Sequence, residues 1–245
     1  MNPVLYTGNG GTQSITGVNF QPDFTWIKDR DSTAVHYLFN AVSGATKFTN
    51  SDQTYAEQTN TQSLKSFDTD GFTLGTMTGA NNNTNNFASW NWKAGGSPSS
   101  NTDGSITSSV SANTTNGFSI VKYTGNGSAG ATIGHGLGST PSAIFVKGLS
   151  AISNWSSYHS VLGNTGYMRL DGTGAFATAS TYWNNTSPTS SVFTAGTTGN
   201  INANGNDFVA YCFAEKKGFS KFGSYVGNGN ADGTFIYTGF KPAYF

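Results

Sequence analysis

The sequence Tyr-Thr-Gly-Asn-Gly occurs at residues 6–10 and again at residues 123–127, and Tyr-Val-Gly-Asn-Gly follows at residues 225–229. A proline comes after each copy, at Pro22, Pro141 and Pro242. In the first two copies an apolar, strand-like run then leads to a lysine six residues past the proline, at Lys28 and Lys147. The shared order and spacing predict a structural unit that is repeated along the chain.

The far end of the unit is repeated as well. Phe72 stands as far before Phe87 as Phe193 stands before Phe208, so the runs FASWNW and FVAYCF align. A period of roughly 100 residues is long enough for each unit to bury a core of its own. The sequence therefore predicts tandem domains rather than a solenoid of short repeats.

The limits of these units follow from the motif and from a polar Gly-Ser-Asn stretch after residue 94. We predict a first β-sandwich repeat at 1–96, a linker with a crossing strand at 97–116, a second β-sandwich repeat at 117–217, and the start of a third, incomplete repeat at 218–245. The third copy reaches only three residues past Pro242. We therefore expect the chain to be a segment of a longer protein.

Short apolar runs separated by turns rich in Gly, Asn and Ser are typical of β-structure. Asp70-Gly71 between Phe67 and Phe72 has the composition of a hairpin turn. The pattern predicts an all-β fold made of sandwiches or jelly rolls. A β-propeller is disfavoured by the long period, and a β-helix by the irregular strand spacing.

The composition excludes several functional classes. The 245 residues carry 12 basic and 12 acidic side chains, and only 10% of the residues are charged, against about 25% in ordinary globular proteins. So few cations argue against a nucleic-acid-binding surface and against a patch for anionic lipids. No apolar run reaches the roughly 20 residues of a membrane-spanning helix, so we expect no membrane insertion.

No motif in the sequence predicts catalysis, a metal or a cofactor. Gly125–Gly130 matches G-x-G-x-x-G, but no helix former follows it, so a β-turn is the better interpretation. The three histidines do not have zinc-ligand spacing, and we expect His36 and His159 to share a structural role. Cys212 is the only cysteine and lies in an apolar run, which predicts a buried residue without a disulfide. We expect the protein not to be an enzyme.

Aromatic residues give the clearest suggestion of a binding surface. Trp155, Tyr182 and Trp183 stand among Asn, Ser and Thr in loop-like surroundings. Exposed rings flanked by amides could stack on sugars and bind their hydroxyl groups, so these three residues are our candidate glycan-binding site. The alternative is that the rings cap a sandwich edge or lie in an interface.

The stretches that carry the repeat also resemble a known family. They are YTGNG at 6–10, ITGV at 15–18, FQPDFTWIK at 20–28, DGSI at 103–106, VSANT at 110–114, HGLG at 135–138, GFSKFGSY at 218–225 and GFKP at 239–242. Together they are similar to repeated β-domains of large, mostly uncharacterised virion proteins of tailed bacteriophages, often marine ones. The resemblance implies a concanavalin-like or jelly-roll β-sandwich in a tail fibre or in another component of the head or tail surface.

The resemblance leads to functional expectations. We expect an extracellular virion structural protein that contacts other virion proteins, forms a homo-oligomer such as a trimer, and attaches to host-surface polysaccharide. The alternatives are a secreted or cellular lectin-like module and, less favoured, a polysaccharide depolymerase.

Overall fold

The computed structural model describes residues 1–242, in which antiparallel β-strands dominate and the helices are single turns. The elements before residue 97 are β1 (Asn2–Thr7), β2 (Gln13–Ile15), β3 (Phe24–Asp29), β4 (Tyr37–Asn40), β5 (Lys47–Thr49), β6 (Gln58–Thr59), β7 (Leu64–Asp68), β8 (Gly71–Leu74), α1 (Thr78–Asn81) and β9 (Asn86–Trp92). Those after it are β10 (Ser99–Asn101), β11 (Ser108–Asn113), β12 (Phe118–Thr124), β13 (Ala131–Gly134), β14 (Ala143–Gly148), β15 (Ser156–His159), β16 (Gly163–Met168), β17 (Ala177–Thr178), α2 (Ser180–Trp183), β18 (Val192–Ala195), α3 (Gly199–Asn202) and β19 (Asp207–Phe213). The predicted all-β fold of sandwich type is confirmed.

Each repeat packs one long sheet on one short sheet. The first long sheet has the order β1-β9-β3-β4-β5-β6 and faces the short sheet β2-β8-β7 across an apolar core. The second long sheet has the order β10-β11-β12-β19-β14-β15-β16-β17 and faces the pair β13-β18. We call the side of each long sheet that faces its short sheet the inner face, and the opposite side the outer face.

Residues 97–116 contain two strands, β10 and β11, which extend the second long sheet beyond β12. In the first long sheet the strand equivalent to β12 is β1, and it lies at the edge. Pro3 in β1 cannot donate a ladder hydrogen bond, which suits an edge strand. The residue limits given above for the units stay predictions.

The two repeats are joined by the outer faces of their long sheets. Strand β19 alternates Phe208, Ala210 and Cys212 inward with Val209, Tyr211 and Phe213 outward, so both of its faces are apolar. This explains its unbroken apolar sequence, as expected for a strand buried on both sides. A third core forms between the sheets, where the Tyr211 ring lies 4.5 Å from that of Phe24. The Asn40 amide donates to the buried Tyr211 hydroxyl at 3.1 Å.

The repeated Tyr-Thr-Gly-Asn-Gly motif ties the first strand of each repeat to its helical turn. Two kinds of contact occur once in each repeat. The tyrosine hydroxyl donates to a carbonyl of the turn, Tyr6 to Ala80 (2.7 Å) and Tyr123 to Ile201 (2.8 Å). The motif's asparagine N–H donates to a buried amide oxygen, Asn9 to Asn81 and Asn126 to Asn202, at 3.0 Å in both. The motif therefore specifies the fold rather than a nucleotide site.

The third copy of the motif keeps its local turn but not its packing. The Asn230 N–H donates to the Asn228 side chain at 3.0 Å, as Gly11 does to Asn9 in the first copy. Tyr225, however, is 66% exposed. Within residues 218–242 the structure has no strand. Part of the predicted third repeat, residues 243–245, lies outside the described residues.

Candidate functional site

The strand register identifies equivalent positions in the two repeats. Asp29 pairs with Phe87 at the end of β3, and Gly148 pairs with Phe208 at the end of β14. Phe87 and Phe208 each stack on the tyrosine of their own motif. Asp29 and Gly148 therefore occupy the same place in the fold with very different side chains.

In the first repeat Asp29 fills this place. Its carboxylate is buried and accepts hydrogen bonds from the Asn85 amide (2.8 Å), the Asp31 N–H (2.9 Å) and the Ser32 hydroxyl (2.8 Å). Burial alone would raise the pKa of the Asp29 carboxyl, but these hydrogen bonds outweigh it and hold the pKa below its ordinary value. Asp29 is thus an ionised structural residue.

Tyr37 fills the space next to it. A Cβ atom at Gly79 in α1 would overlap the Tyr37 ring and hydroxyl, so that ring occupies the space beside the helical turn. The register places Ser156 of the second repeat where Tyr37 stands in the first, because Val146 pairs with Ser156 as Ile27 pairs with Tyr37. The second repeat therefore has the smaller side chain at this position too.

The second repeat has an open cavity here. Its volume is about 330 Å³, and we call it the amide pocket. It is lined by Gly148, Ala151, Ile152, Ser153, Thr198, Gly199, Asn200, Ala203, Asn206 and Phe208. Neither a formal charge nor a titratable group occurs among these side chains.

Amides and hydroxyl groups line the amide pocket and keep hydrogen-bonding capacity. Asn206 is equivalent to Asn85, but Gly148 stands in the place of Asp29, and the Asn206 side chain has no hydrogen-bond partner in residues 1–242. The Asn200 side chain accepts from the Asn154 N–H (3.3 Å) and donates to the Tyr182 hydroxyl (3.0 Å). One Asn200 N–H and a second lone pair on its oxygen remain for a ligand.

The loop on one side of the amide pocket is held by the first repeat. The Ser153 N–H donates to the Thr54 carbonyl, and the Glu57 N–H donates to the Leu149 carbonyl, both at 3.0 Å. The fully buried Lys147 ammonium donates to the Ser153 carbonyl and, at 3.3 Å, to the Gln53 carbonyl. Burial lowers the pKa of Lys147 to about 8, although Asp171 opposes the shift. The pocket is therefore built on a rigid contact between the repeats.

The aromatic residues predicted to bind glycan are buried. Trp155 is 0% exposed, donates from Nε1 to the Asn50 carbonyl (2.8 Å) and stacks on Tyr211. Tyr182 is 5% exposed and stacks on Tyr167, with ring centroids 3.7 Å apart. Trp183 is 1% exposed. The prediction that these rings offer a face to a sugar is wrong, because neighbouring elements cover them on both sides.

One of the predicted residues, Tyr182, nevertheless contacts the lining of the amide pocket, and a second, Trp155, is next in sequence to another residue that does. Tyr182 holds the Asn200 amide, and Trp155 follows Asn154, whose N–H donates to the same side chain. Sequence reasoning missed the lining residues Ser153, Asn200 and Asn206. An alignment of the two repeats would have drawn attention to Asn206, because its counterpart Asn85 pairs with Asp29 and Gly148 stands in the place of that aspartate.

A second, larger cavity lies at the margin of the contact between the outer faces. Its volume is about 570 Å³, and aromatic rings of both repeats line it, among them Trp26, Phe145 and Phe213. Residues 218–222 and 238–242 of the same chain cover it, and the Phe222 ring lies 6.0 Å from that of Phe213. We interpret this cavity as part of the packing between the repeats and the residues that follow them.

The remaining chemistry-bearing residues have structural surroundings. Cys212 is buried and free, as predicted, and burial raises the pKa of its thiol to about 12. His36 and His159 do not occupy equivalent positions: the register matches Asn40 with His159 and His36 with Trp155. The predicted shared role of these histidines is therefore wrong. Across residues 1–242 no three His, Cys, Asp or Glu side chains cluster closely enough to hold a metal ion.

No helix in the described part of the chain is long and apolar enough to cross a membrane.

Fold and pocket together define an all-β protein of two stacked sandwiches, with a neutral polar pocket in the second. The chain matches, over residues 1–245, the model of a family described as a domain of unknown function (DUF7483), and it belongs to that family. No curated protein and no solved structure matched the chain.

Proposed function

We propose that this chain is a non-enzymatic structural component of a bacteriophage particle, displayed on the tail fibre or on another head or tail surface. The observation that carries the proposal is the contact between the outer faces, where two copies of one unit share an apolar core. Repeated sandwiches joined by a core move as one block. A rigid block of this kind suits a protein whose task is to extend and hold a shape outside the particle.

The surface supports the same role. Amide and hydroxyl groups make up much of the polar surface, and only 10% of residues are charged. Contacts made by such a surface depend little on ionic strength, because salt screens charges and not neutral hydrogen bonds. In this proposal the partners are other virion proteins and further copies of the chain, with a trimer as the form expected in a fibre.

The test is mass spectrometry of purified intact particles from the culture that produces the protein. Peptides from residues 1–242 that co-purify with particles through a density gradient would support the proposal. Recovery of the chain only from cells or free in the medium would overturn it and favour the lectin-like alternative. Release of oligosaccharides from host polysaccharide by the purified chain would favour a depolymerase.

A further inference from the structure

We propose that the amide pocket of the second repeat binds one neutral sugar residue of a glycan. The pocket is a difference between two copies of one fold rather than a surface irregularity. In the first repeat Asp29 stands at the position of Gly148 and pairs with Asn85, and Tyr37 lies against Gly79 of the helical turn. In the second repeat the Ser153 hydroxyl lies where a Gly148 side chain would begin, and the cavity beside it is lined by Asn206, which has no side-chain hydrogen-bond partner among the described residues.

The hydrogen-bonding groups of the pocket match a polyol. The Ser153 hydroxyl accepts from the Gly148 N–H at 3.2 Å and keeps its own proton for donation. The Thr198 hydroxyl accepts weakly from the Asn200 N–H at 3.4 Å and also keeps its proton. With the amides of Asn200 and Asn206, the site offers donors and acceptors side by side, as sugar hydroxyl groups require, since each hydroxyl both donates and accepts.

The rest of the lining provides apolar contact. The methyl group of Ala203 lies at the pocket wall, and Ile152 is 75% exposed at the rim. Carbon-bound hydrogens of a sugar ring can pack on such groups. The volume of about 330 Å³ lies at the small end of ligand sites, which run from roughly 300 to 1,000 Å³. One ring fits better than a long oligosaccharide.

Other ligand classes fit less well. A phosphate or carboxylate would need a cation or several converging N–H groups, and none of the ten lining residues is charged. A nucleobase would need an aromatic face for stacking, whereas the only ring in the lining, Phe208, is 1% exposed. A neutral, hydroxyl-rich ligand remains.

The loop that carries Ser153 is held in advance of binding. Lys147 and the two backbone hydrogen bonds to Thr54 and Glu57 fix it against the first repeat. Little ordering is therefore needed when a ligand enters, which favours affinity. Isolating the second repeat would remove these contacts, so the test uses the whole chain.

The first experiment is saturation-transfer NMR of the 245-residue chain with the methyl glycosides of glucose, galactose, mannose and N-acetylglucosamine, followed by an array of neutral microbial oligosaccharides. We expect transfer to at least one methyl glycoside at millimolar concentration and binding of array glycans that carry that residue. No transfer to any of the four at about 10 mM, together with an array without neutral hits, would overturn the proposal.

The second experiment locates the site. Asn206→Ala removes an amide that makes no hydrogen bond within residues 1–242, so the fold should be retained, and Asn200→Ala removes a second pocket amide. Each should weaken binding at least tenfold. Asn204→Ala is the matched control, because Asn204 is exposed and outside the lining. Equal binding by Asn206→Ala and Asn204→Ala would place the sugar elsewhere and refute this site.

The two proposals fail separately. A chain found in particles that binds no sugar leaves the structural role intact and removes the pocket's function. A chain absent from particles that loses sugar binding on Asn206→Ala keeps the site and removes the particle assignment.

Discussion

Asp29 ends strand β3 with three hydrogen bonds on its carboxylate, whereas Gly148 ends the equivalent strand β14 with the Ser153 hydroxyl packed against it and the amide pocket alongside. The strands themselves and the Tyr-Thr-Gly-Asn-Gly contacts are the same in both repeats. We call the strands of each repeat, together with the hydrogen bonds between the motif and the helical turn, the frame of that repeat. Positions at the strand ends are therefore free to change, and the second repeat uses that freedom to form a pocket.

The inner faces differ in the same way. In the first repeat Thr25 donates to the buried Asn91 side chain at 3.0 Å, while the equivalent positions of the second repeat are Ile144 and Cys212. Either a polar pair or an apolar pair can occupy these inner-face positions, provided that every buried polar atom has a hydrogen-bond partner. The frame tolerates both because neither pair takes part in the motif contacts.

The substitutions with the largest expected effect test whether the motif contacts contribute equally to the stability of both repeats. Asn81 and Asn202 are 0% exposed, and each accepts one backbone N–H and donates to two backbone carbonyls. Asn81→Ala and Asn202→Ala should each lower the free energy of unfolding by about 4 kcal/mol, since several buried groups lose their partners. Urea denaturation measures the loss, with Asn204→Ala as the control that stays at the wild-type value. A large effect in only one repeat would show that the frames are not equivalent.

The next test uses the first glycine of the motif, which occurs three times. A Cβ atom at Gly125 would lie 2.5 Å from the Ala203 carbonyl oxygen, and one at Gly8 would overlap the Asn82 carbonyl, whereas Gly227 has open space. Gly8→Ala and Gly125→Ala should each cost about 3 kcal/mol, because backbone must shift. Gly227→Ala should leave thermal unfolding unchanged, and a comparable loss there would mean that the third copy is packed.

The third test compares the equivalent lysines. Lys28 is half-buried, while Lys147 is fully buried with a pKa of about 8. Between this value and the ordinary pKa the unfolded chain binds more protons, so stability should rise with pH from about 8 to 10.5, by roughly 2–3 kcal/mol in total. Lys147→Met should remove this rise and Lys28→Met should keep it. The same pH profile for wild type and Lys147→Met would show that Lys147 is not desolvated.

The smallest effect concerns Asp29. Its pKa is lowered in the folded state, so its contribution is present at neutral pH and disappears as the pH falls through the folded pKa. Asp29→Asn should cost about 1 kcal/mol at pH 7 and almost nothing at pH 2. Unfolding curves at both pH values, with exposed Asp232→Asn as the unaffected control, decide the point. If the loss of unfolding free energy is the same at both pH values, it comes from altered packing and not from the lost carboxylate charge.

The sequence predicted the repeat and the all-β class because strand periodicity and the glycine motif are local signals. It did not predict the burial of Trp155, whose polar neighbours suggested an exposed loop. Those neighbours satisfy backbone groups in turns, and the first repeat covers the ring through Asn50. Burial of a side chain by another repeat cannot be predicted from the sequence around that side chain.

The pocket and the histidine register were missed for a related reason. His36 stands 14 residues after its proline and His159 stands 18 after its own, and the register matches His159 with Asn40, which also lies 18 residues past the proline. A roughly similar distance therefore did not make the two histidines equivalent, because each position must be compared one by one. The pocket lies where Gly148, with Ser153 packed against it, replaces Asp29, and this replacement is visible only when the two repeats are compared position by position.

The contact between the outer faces also sets how such units can multiply. The outer face of each repeat is already used by the other, and residues 218–222 and 238–242 cover the cavity at the margin. A further complete copy would bring an outer face that this pair cannot accept. We therefore expect this unit to occur in even numbers, because the outer face of each added copy needs the outer face of a second copy to pack against.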